Sequence, residues 1–428
     1  MMADVKARRI RRWTAAVLTV ILGLPLIALA LRLWIKSAEE RRWADMRSWC
    51  AKVAQDVRAR PSTRPVLRGE AVPGNAWDDY EEALRSIESP KDLLITAPYL
   101  NDPNVDRAKV FPVVERYAPA VQAIRRGASR AKVGRHFDWE NSLHSWDSKL
   151  NQLACLAACK ARFVVDEGHP RDAMELLLDT AQYGEDTAMN GTHIDGLIAL
   201  LILNVVQDEL RRLLVLRKIL PEDCRQLVRE LELLDRSFPR EAEAHAVDSM
   251  PTGFAFLRQE NMETVLKDMG ITDRVSPTWR YGFSERLVIV DAFQEGCAID
   301  RQLQAAATKP WKEARQIQER LSADRSWKKN PLLRKFGEIQ EMLSNPAAPR
   351  NLYRERLAQL RLLRCAAAYR SAGEVPVLDD PYGDKIRSSI TGTRLKVWSV
   401  GGDGVDDGGS GEWDLRKGGK DIVLEVER

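Results

Sequence analysis

The sequence has few of the residues that most often build catalytic and metal centres. Its 428 residues contain five histidines and six cysteines, and the cysteines form no CxxC pair. No HExxH motif, nucleophile elbow or phosphate-binding loop accompanies them. The sequence alone therefore predicts no particular reaction.

A strong net charge is also lacking. The chain has 66 Lys and Arg residues against 62 Asp and Glu residues, which gives a net charge of +4. This balance does not select nucleic acid, so we expect no nucleic-acid partner. Because 44% of the residues are hydrophobic and 30% are charged, the chain can bury a large core.

The cysteines are scattered over positions 50, 155, 159, 224, 297 and 365. Cys155 and Cys159 share one face of an alanine-rich predicted helix, where two thiols four residues apart are badly placed to bridge each other. This pattern favours buried, small apolar side chains. A long-range disulfide stays open if the body of the protein is exported.

A loop rich in glycine and aspartate lies near the carboxyl terminus. Six glycines, at positions 401, 402, 404, 408, 409 and 411, allow positive φ angles while short carboxylates converge. Calcium takes six to eight oxygens from carboxylates and carbonyls, whereas zinc and copper favour His and Cys, which the loop lacks. The loop therefore predicts a calcium site with these candidate ligands: Asp403, Asp406, Asp407 and Asp421.

Alternating polar and apolar residues flank this loop. Residues 394–398 alternate before it, and Ile422, Leu424 and Val426 share one face after it. Both segments predict strands of a small antiparallel sheet. An exposed, flexible hairpin whose aspartates are only solvated is the alternative to a metal site.

The same region resembles the carboxyl-terminal part of the major pseudopilins of type II secretion systems. The resemblance rests on the order AYRSAGEVPV, DDPYGDK, VWSVGGDGVDDGG and KDIV, and covers about the last 70 residues. It implies calcium binding, with Asp403 matching the Asp of an Asp-Gly pair and Asp421 the closing Asp. The same elements are similar to those of a set of membrane-anchored bacterial proteins of unknown function.

The amino terminus departs from the pseudopilin pattern. It has neither the glycine nor the glutamate of a prepilin processing site, and more than 300 residues separate its apolar segment from the loop. We therefore expect a shared module and no incorporation into a pseudopilus.

A long uncharged run follows a basic amino terminus. Five of the first twelve residues are Lys or Arg, and residues 13–31 carry no charge. The run reaches residue 35 if Arg32 extends to the membrane surface. A helix of this length spans a hydrocarbon core of about 30 Å. The sequence therefore predicts a cytoplasmic tail over residues 1–12 and a transmembrane helix over residues 13–35.

The sequence leaves alternatives for the cleavage of the predicted anchor and for its orientation in the membrane. Cleavage by signal peptidase after Ala30 is one alternative, but the apolar run continues beyond that point and favours an uncleaved anchor. Basic residues flank both ends of the run, so charge alone does not orient it. The short tail and the calcium loop, which is more useful outside the cytosol, favour an exported carboxyl-terminal body.

Helical patterning covers almost all of residues 36–349, which we interpret as a multi-helical body. Proline-rich residues 61–73 and 98–103 predict loops, and Asn75 is a predicted helix cap. The predicted helices of the body cover residues 38–59, 76–87, 110–127, 150–167, 170–188, 194–218, 221–236, 239–248, 284–308, 311–323 and 331–343.

A break at residues 345–349 precedes a last predicted helix over residues 351–372, which begins the module of residues 350–428. We expect this helix to pack on the terminal sheet through one face formed by Leu357, Leu360, Leu363 and Ala367. The expected fold class is thus mainly α, with a transmembrane helix, a helical body and a small β module.

The helices predicted at 150–167 and 170–188 resemble a single tetratricopeptide unit. Ala161, Gly168, Ala173 and Leu177 fall at the spacings where that repeat places small, turn and packing residues. A single unit cannot stack into a solenoid, because about three or more are needed. An ordinary helical hairpin is therefore the favoured interpretation.

One segment, residues 136–144, combines His136, Asp138, Glu140 and His144. These side chains could ligate a metal ion or transfer protons, although their alternate spacing also fits a polar face. Glu241 and His245 form a similar pair, for which a helical surface needs no function.

Together these features predict a scaffold or protein-interaction protein anchored in the bacterial inner membrane by residues 13–35, with a calcium-stabilised extracytoplasmic module and no enzymatic role. The sequence does not identify its protein partner. Two alternatives remain: an accessory component of a type II secretion or pilus-like system, and a metal-dependent hydrolase that uses residues 136–144.

Overall fold

The computed structural model describes residues 2–60, 62–102, 104–134, 148–189, 191, 193–238, 298, 301–323, 347–413 and 421–428. These residues are mainly helical, and a small antiparallel sheet of three strands lies near the carboxyl terminus. The predicted class, a helical protein with a small carboxyl-terminal β module, is confirmed at this level.

The first element is one long helix, α1 (Met2–Arg58), which contains Pro25. The predicted helix over residues 38–59 continues the predicted span without a break. Trp43, Met46 and Cys50, spaced by three and four residues, are buried along one face. Among the described residues, no helix is long and apolar enough to cross a membrane. The side chains of residues 2–22, which include ten residues of the predicted span, lie outside the described set.

A short parallel strand pair, β1 (Val72–Asn75) and β2 (Arg130–Lys132), brackets the first helices of the body. Helix α2 (Ala76–Ser86) begins where the Asn75 side chain accepts a hydrogen bond from the backbone N–H of Trp77. The predicted cap is therefore confirmed. The two strands themselves were not predicted.

Two predictions in the next segment were wrong. Residues 98–103 were expected to form a loop, but α3 (Thr96–Asn101) follows a 3₁₀ helix (Pro90–Ile95). Pro98 lies in the first turn of α3, where its missing N–H removes no helical hydrogen bond.

The helix predicted over residues 110–127 is divided into α4 (Arg107–Arg116) and α5 (Ala118–Ala128). Tyr117 separates them and leaves the helical conformation, with φ −99° and ψ 17°. The break occurs because Pro119 has no N–H to continue the ladder and is accommodated in the first turn of a new helix.

The centre of the body consists of α6 (Ser148–Asp166), α7 (Pro170–Ala188), α8 (His193–Val215) and α9 (Pro221–Ser237). Helices α6 and α7 form the predicted hairpin, and α8 packs on both. Gly168 makes the turn with φ +93°, a conformation that favours glycine.

Two further helices follow, α10 (Trp311–Ala323) and α11 (Ala347–Ala372). Residues 301–307 are also helical, within the helix predicted at 284–308. The predicted helices 239–248 and 331–343 lie outside the described residues.

Helix α11 lies at the junction of the body and the sheet. It packs on α8 and α9 and also on the sheet, and its buried residues include Leu360, Leu363 and Ala367 from the predicted face. Leu357 is only partly buried. One continuous hydrophobic core therefore includes residues from both sides of the predicted boundary at 350.

The sheet is formed by β3 (Arg387–Thr391), β4 (Arg394–Ser399) and β5 (Ile422–Glu427), in that order. Both pairings are antiparallel, with Ile390 opposite Leu395 and Val397 opposite Leu424. The predicted alternation in β5 is confirmed, because Ile422, Leu424 and Val426 are buried. Strand β3 was not predicted, since most of its side chains are polar and exposed.

Candidate functional site

The glycine-aspartate loop follows β4 and is described as far as Trp413. Four of its glycines have φ close to +70°, and they are Gly401, Gly404, Gly408 and Gly409. Residues with side chains rarely adopt this conformation. The glycine content therefore serves a series of tight turns that bring loop amides to the start of β5.

Asp421, the last residue before β5, closes this loop from within. Its side chain is fully buried, and its Oδ2 accepts a 2.8 Å hydrogen bond from the backbone N–H of Gly409. Its Oδ1 accepts a longer bond of 3.5 Å from the backbone N–H of Asp407. Asp421 and Asp407 are thus the two predicted ligands that the structure brings together.

The electrostatics of this buried carboxylate are unfavourable for its charged form. Burial raises the pKa of Asp421, and the charges of Asp407 and Asp406 raise it further. The amide donors from Gly409 and Asp407 lower the pKa and offset part of this effect. A cation between Asp407 and Asp421 would relieve the repulsion between the carboxylates.

The other two predicted ligands make local contacts. Asp403 is exposed, and its Oδ1 accepts a hydrogen bond of 3.0 Å from the N–H of Val405. Asp406 accepts from Trp398 Nε1 and forms an ion pair of 2.7 Å with Arg387. Hydrogen bonding from Trp398 lowers the pKa of Asp406 most strongly. Each of the two side chains therefore stabilises its own turn.

Within the described part of the chain, no group of three or more His, Cys, Asp and Glu side chains is arranged to hold a metal ion. Side-chain oxygens at a calcium site in this loop would therefore come chiefly from Asp407 and Asp421. Backbone carbonyls would supply further oxygens, which is common in calcium sites.

Indole groups attach the loop to the helical body. Trp311 of α10 donates its N–H to the carbonyl of Gly402 over 2.9 Å, and Trp413 donates to Asp208 of α8 over 2.7 Å. Gln359 of α11 donates to the carbonyl of Trp413 over 2.7 Å. The conformation of the loop is thereby coupled to three helices.

Asp380, in the DDPYGDK turn, was missed as a functional position. It is buried and accepts hydrogen bonds from the N–H of Tyr382, the hydroxyl of Ser399 and the N–H of Val400. These bonds fasten the turn to the first residues of the loop. The Asp-Pro pair was the available signal, because Asp side chains often close such turns.

A second polar centre, also missed, lies inside the body on α7. Asp186 is fully buried and accepts hydrogen bonds from Arg64, Tyr80 and Gln182. The Arg64 contact links the segment before β1 to α7. Two adjacent carboxylates near the end of a helix that holds several other charged residues are a weak sequence signal, since most such residues are solvated.

The neighbouring Glu185 is also buried, and fewer hydrogen bonds stabilise its charged form than that of Asp186. It accepts hydrogen bonds from the hydroxyl of Ser237 over 2.6 Å and from Gln182. Burial raises the pKa of Glu185 to about 8, and the charge of Asp186 adds to this effect. Glu185 therefore holds a proton near neutral pH, and its surroundings are those of a structural hydrogen-bond network.

Five cysteines of the described residues are buried: Cys50, Cys155, Cys159, Cys224 and Cys365. Their burial agrees with the predicted role as small apolar side chains. Cys297 lies outside the described residues, as do the segment from His136 to His144 and the pair Glu241 and His245.

Comparison with protein-family models, curated proteins and solved structures gives no match for this chain. The interpretation of the site therefore rests on its own residues and their geometry.

Proposed function

We propose that the protein is a membrane-anchored extracytoplasmic scaffold or protein-interaction protein whose carboxyl-terminal module is stabilised by calcium. The observation that carries this proposal is the attachment of the loop to α8, α10 and α11 through Trp413, Trp311 and Gln359. An ion that fixes the loop would also fix the helices to which the loop is bonded. The helical body then offers a stable surface to a protein partner.

Calcium is favoured by the chemistry of the donor set. The loop offers carboxylate and carbonyl oxygens, which a hard cation prefers. Asp407 and Asp421 would hold the ion, and their mutual repulsion in the buried site gives the cation a favourable electrostatic role. Asp406 already forms an ion pair with Arg387, so it would not coordinate the ion directly.

Membrane anchoring is supported by the amino-terminal helix α1. Between residues 24 and 34 its large apolar side chains are 53–66% exposed. Apolar surface of this kind on a helix is unfavourable in water and favourable in a lipid core. We propose a single pass through a bacterial inner membrane by residues 13–35, with the body on the extracytoplasmic side.

The alternative is an accessory role in a type II secretion or pilus-like system. It is supported by the order of a long helix, an Asp-Pro turn, two strands, a Gly/Asp loop and a last strand. The resemblance to pseudopilins rests on the same order with a single strand between the turn and the loop, so β3 is an addition to it. Co-purification of secretion components with the full chain would support this alternative, and their absence under crosslinking would exclude it.

The calcium proposal is tested by thermal unfolding of the full chain with calcium or with a chelator. If calcium binds only the folded state, an excess of about 10 to 100-fold over Kd stabilises that state by about 1 to 3 kcal/mol. Asp407→Asn should abolish this stabilisation by calcium, and it retains the backbone N–H from which Asp421 accepts a hydrogen bond. Asp403→Asn is the matched control, since an Asn oxygen can still accept from Val405.

Equal melting of the unaltered chain in both conditions would exclude the ion. Loss of the calcium increment in both variants would instead show that Asp403 is also a ligand. Membrane anchoring is tested separately: the full chain should resist extraction by alkaline carbonate, and a chain lacking residues 1–35 should not.

A further inference from the structure

Among the residues that the structure describes, no strand pairs with the outer edge of β3 in the carboxyl-terminal sheet. Residues 388–391 are exposed, and the pairing of β3 with β4 contains no bulge. Proline residues often protect edge strands from pairing with another chain, and β3 contains none. The opposite edge of the sheet is covered at its start, because the N–H of Val423 in β5 donates to the carbonyl of Glu412 over 3.1 Å.

The pairing of β4 with β5 determines which residues of β3 point their backbone N–H and C=O groups toward β4 and which point them outward. The N–H of Arg428 donates to the carbonyl of Thr393, so residue 393 faces β5 and Arg394 faces β3. Because neighbouring residues in an antiparallel strand face opposite sides, the odd-numbered residues of β3 bond to β4. The N–H and C=O groups of Ser388 and Ile390 therefore point outward.

Both ends of this open edge are defined. The outward N–H of Ile386 already donates to the carbonyl of Leu378 over 2.9 Å. At the other end, Gly392 begins the tight turn to β4 with φ +61°. The available edge is thus β3 itself, with two outward-facing residues.

We propose that this edge binds the β3 edge of a second copy of the chain, in an antiparallel pair with its two-fold axis at Ser389. Ser388 of each copy would then lie opposite Ile390 of the other, with up to four hydrogen bonds between them. Each outward donor meets an outward acceptor in this register.

The shifted registers form fewer hydrogen bonds than this one. A shift by one residue would place outward groups opposite groups that already bond to β4. A shift by two residues in one direction would need the N–H of Ile386, which Leu378 occupies. The opposite shift would need Gly392, which lies in the turn.

The charges in this pairing are compatible with a self-association. Arg387 would lie opposite Thr391 of the second copy, so no like charges face each other. Arg387 is also neutralised within its own chain by Asp406 at 2.7 Å. Like charges directly opposite each other would destabilise the pair.

Ile390 supplies the apolar part of the contact. It lies opposite Leu395, on the face of the sheet that carries the buried Leu395 and Val397, yet it is 52% exposed. Pairing would bring the two Ile390 side chains to diagonal positions on this face. A five-residue edge buries less than a standard interface, so we expect weak association that requires a high protein concentration.

Ser389→Cys tests the register directly in the full chain, kept in a mild nonionic detergent that covers the apolar part of α1. The Cα atoms of the two residues at position 389 would lie about 4.5 Å apart as a non-hydrogen-bonded pair, within the range of about 4.4–6.8 Å for disulfides. Mild oxidation should give a disulfide-linked dimer. Ser388→Cys is the matched control, because its opposite residue is Ile390.

A second variant tests the hydrogen bonds. Ile390→Pro removes the outward N–H from each copy but leaves the bonds between β3 and β4, and proline is accepted on edge strands in this orientation. Losing two bonds should raise the dimer Kd by about tenfold or more. Ile390→Thr retains the N–H and should lose less affinity. Sedimentation measures Kd, and circular dichroism checks the fold.

Equal crosslinking of the two cysteine variants would overturn the proposal, as would an identical Kd for the Pro variant and the unaltered chain. A chain that stays monomeric throughout would do the same. Because the pairing requires neither calcium nor the anchor, the measurements are made with and without chelator, and their outcome is independent of the proposed function.

Discussion

The indole N–H of Trp413 donates a hydrogen bond of 2.7 Å to the carboxylate of Asp208, which joins the carboxyl-terminal loop to the middle of α8. Asp208 is partly buried, and burial raises its pKa while the bond from Trp413 lowers it. The guanidinium of Arg211 lies 5.6 Å from the centre of the Trp413 ring. The loop is therefore a structural part of the helical body.

We predict that Trp413→Phe destabilises the protein by about 1–3 kcal/mol, because Asp208 loses a donor in a partly buried place. Trp398→Phe is the control. Its indole donates to the exposed Asp406, so the expected loss is below about 1 kcal/mol. Urea unfolding followed by circular dichroism measures both, and equal losses would show that the contact to α8 has no special weight.

Gly411 and Gly402 should respond differently to alanine. A Cβ at Gly411 would overlap the backbone carbonyl of Asp421, whereas a Cβ at Gly402 meets nothing within 4 Å. Gly411→Ala should therefore cost about 1–3 kcal/mol, and Gly402→Ala should stay within about 0.5 kcal/mol. Thermal unfolding of the two variants gives the comparison, and a neutral Gly411→Ala would mean that the loop lies farther from Asp421.

The protonation of Glu185 predicts a pH dependence of stability. Its pKa is about 8 in the folded state, against an ordinary value of 4.5 in the unfolded chain. The folded state thus holds the proton more tightly, so the stability contributed by Glu185 is complete below pH 4.5 and falls as the pH rises toward 8. The charges around it are those of Asp186 and Arg64.

Glu185→Gln should remove this part of the pH dependence and leave the variant more stable than the original chain at pH 8, by roughly 2–4 kcal/mol. Asp172→Asn, at the exposed start of α7, should leave the dependence unchanged. Urea unfolding between pH 5 and 8.5 measures the effect. Parallel pH profiles for the Gln variant and the original chain would refute the assignment.

The buried thiols should be inert in the folded protein. Burial raises the pKa of Cys155 and Cys224 to about 11 and that of Cys365 to about 12. Since the thiolate is the reactive form, iodoacetamide at pH 8 should not modify these residues until urea is added. Peptide mass spectrometry after labelling reads each site, and rapid labelling of Cys155 in the native chain would contradict its burial.

The sequence by itself determined the helical class, the hairpin of α6 and α7, the cap at Asn75 and the strand alternation in β5. These features depend on local spacing of apolar residues and on backbone preferences, which a single sequence displays. It failed at Tyr117, where one proline divides a helical pattern into two helices, and at β3, whose polar residues carry almost no alternation signal.

Only the tertiary structure decided how the loop aspartates are used. Of the four candidate carboxylates, Asp421 is the buried residue that closes the loop, Asp407 is its neighbour, and Asp403 and Asp406 accept hydrogen bonds within their own turns. The roles of Asp380, Glu185 and the Trp413 to Asp208 contact also depend on groups that are distant in the chain. Burial and hydrogen-bond partners fix the state of a polar group, and both are set by elements that come together only when the chain folds.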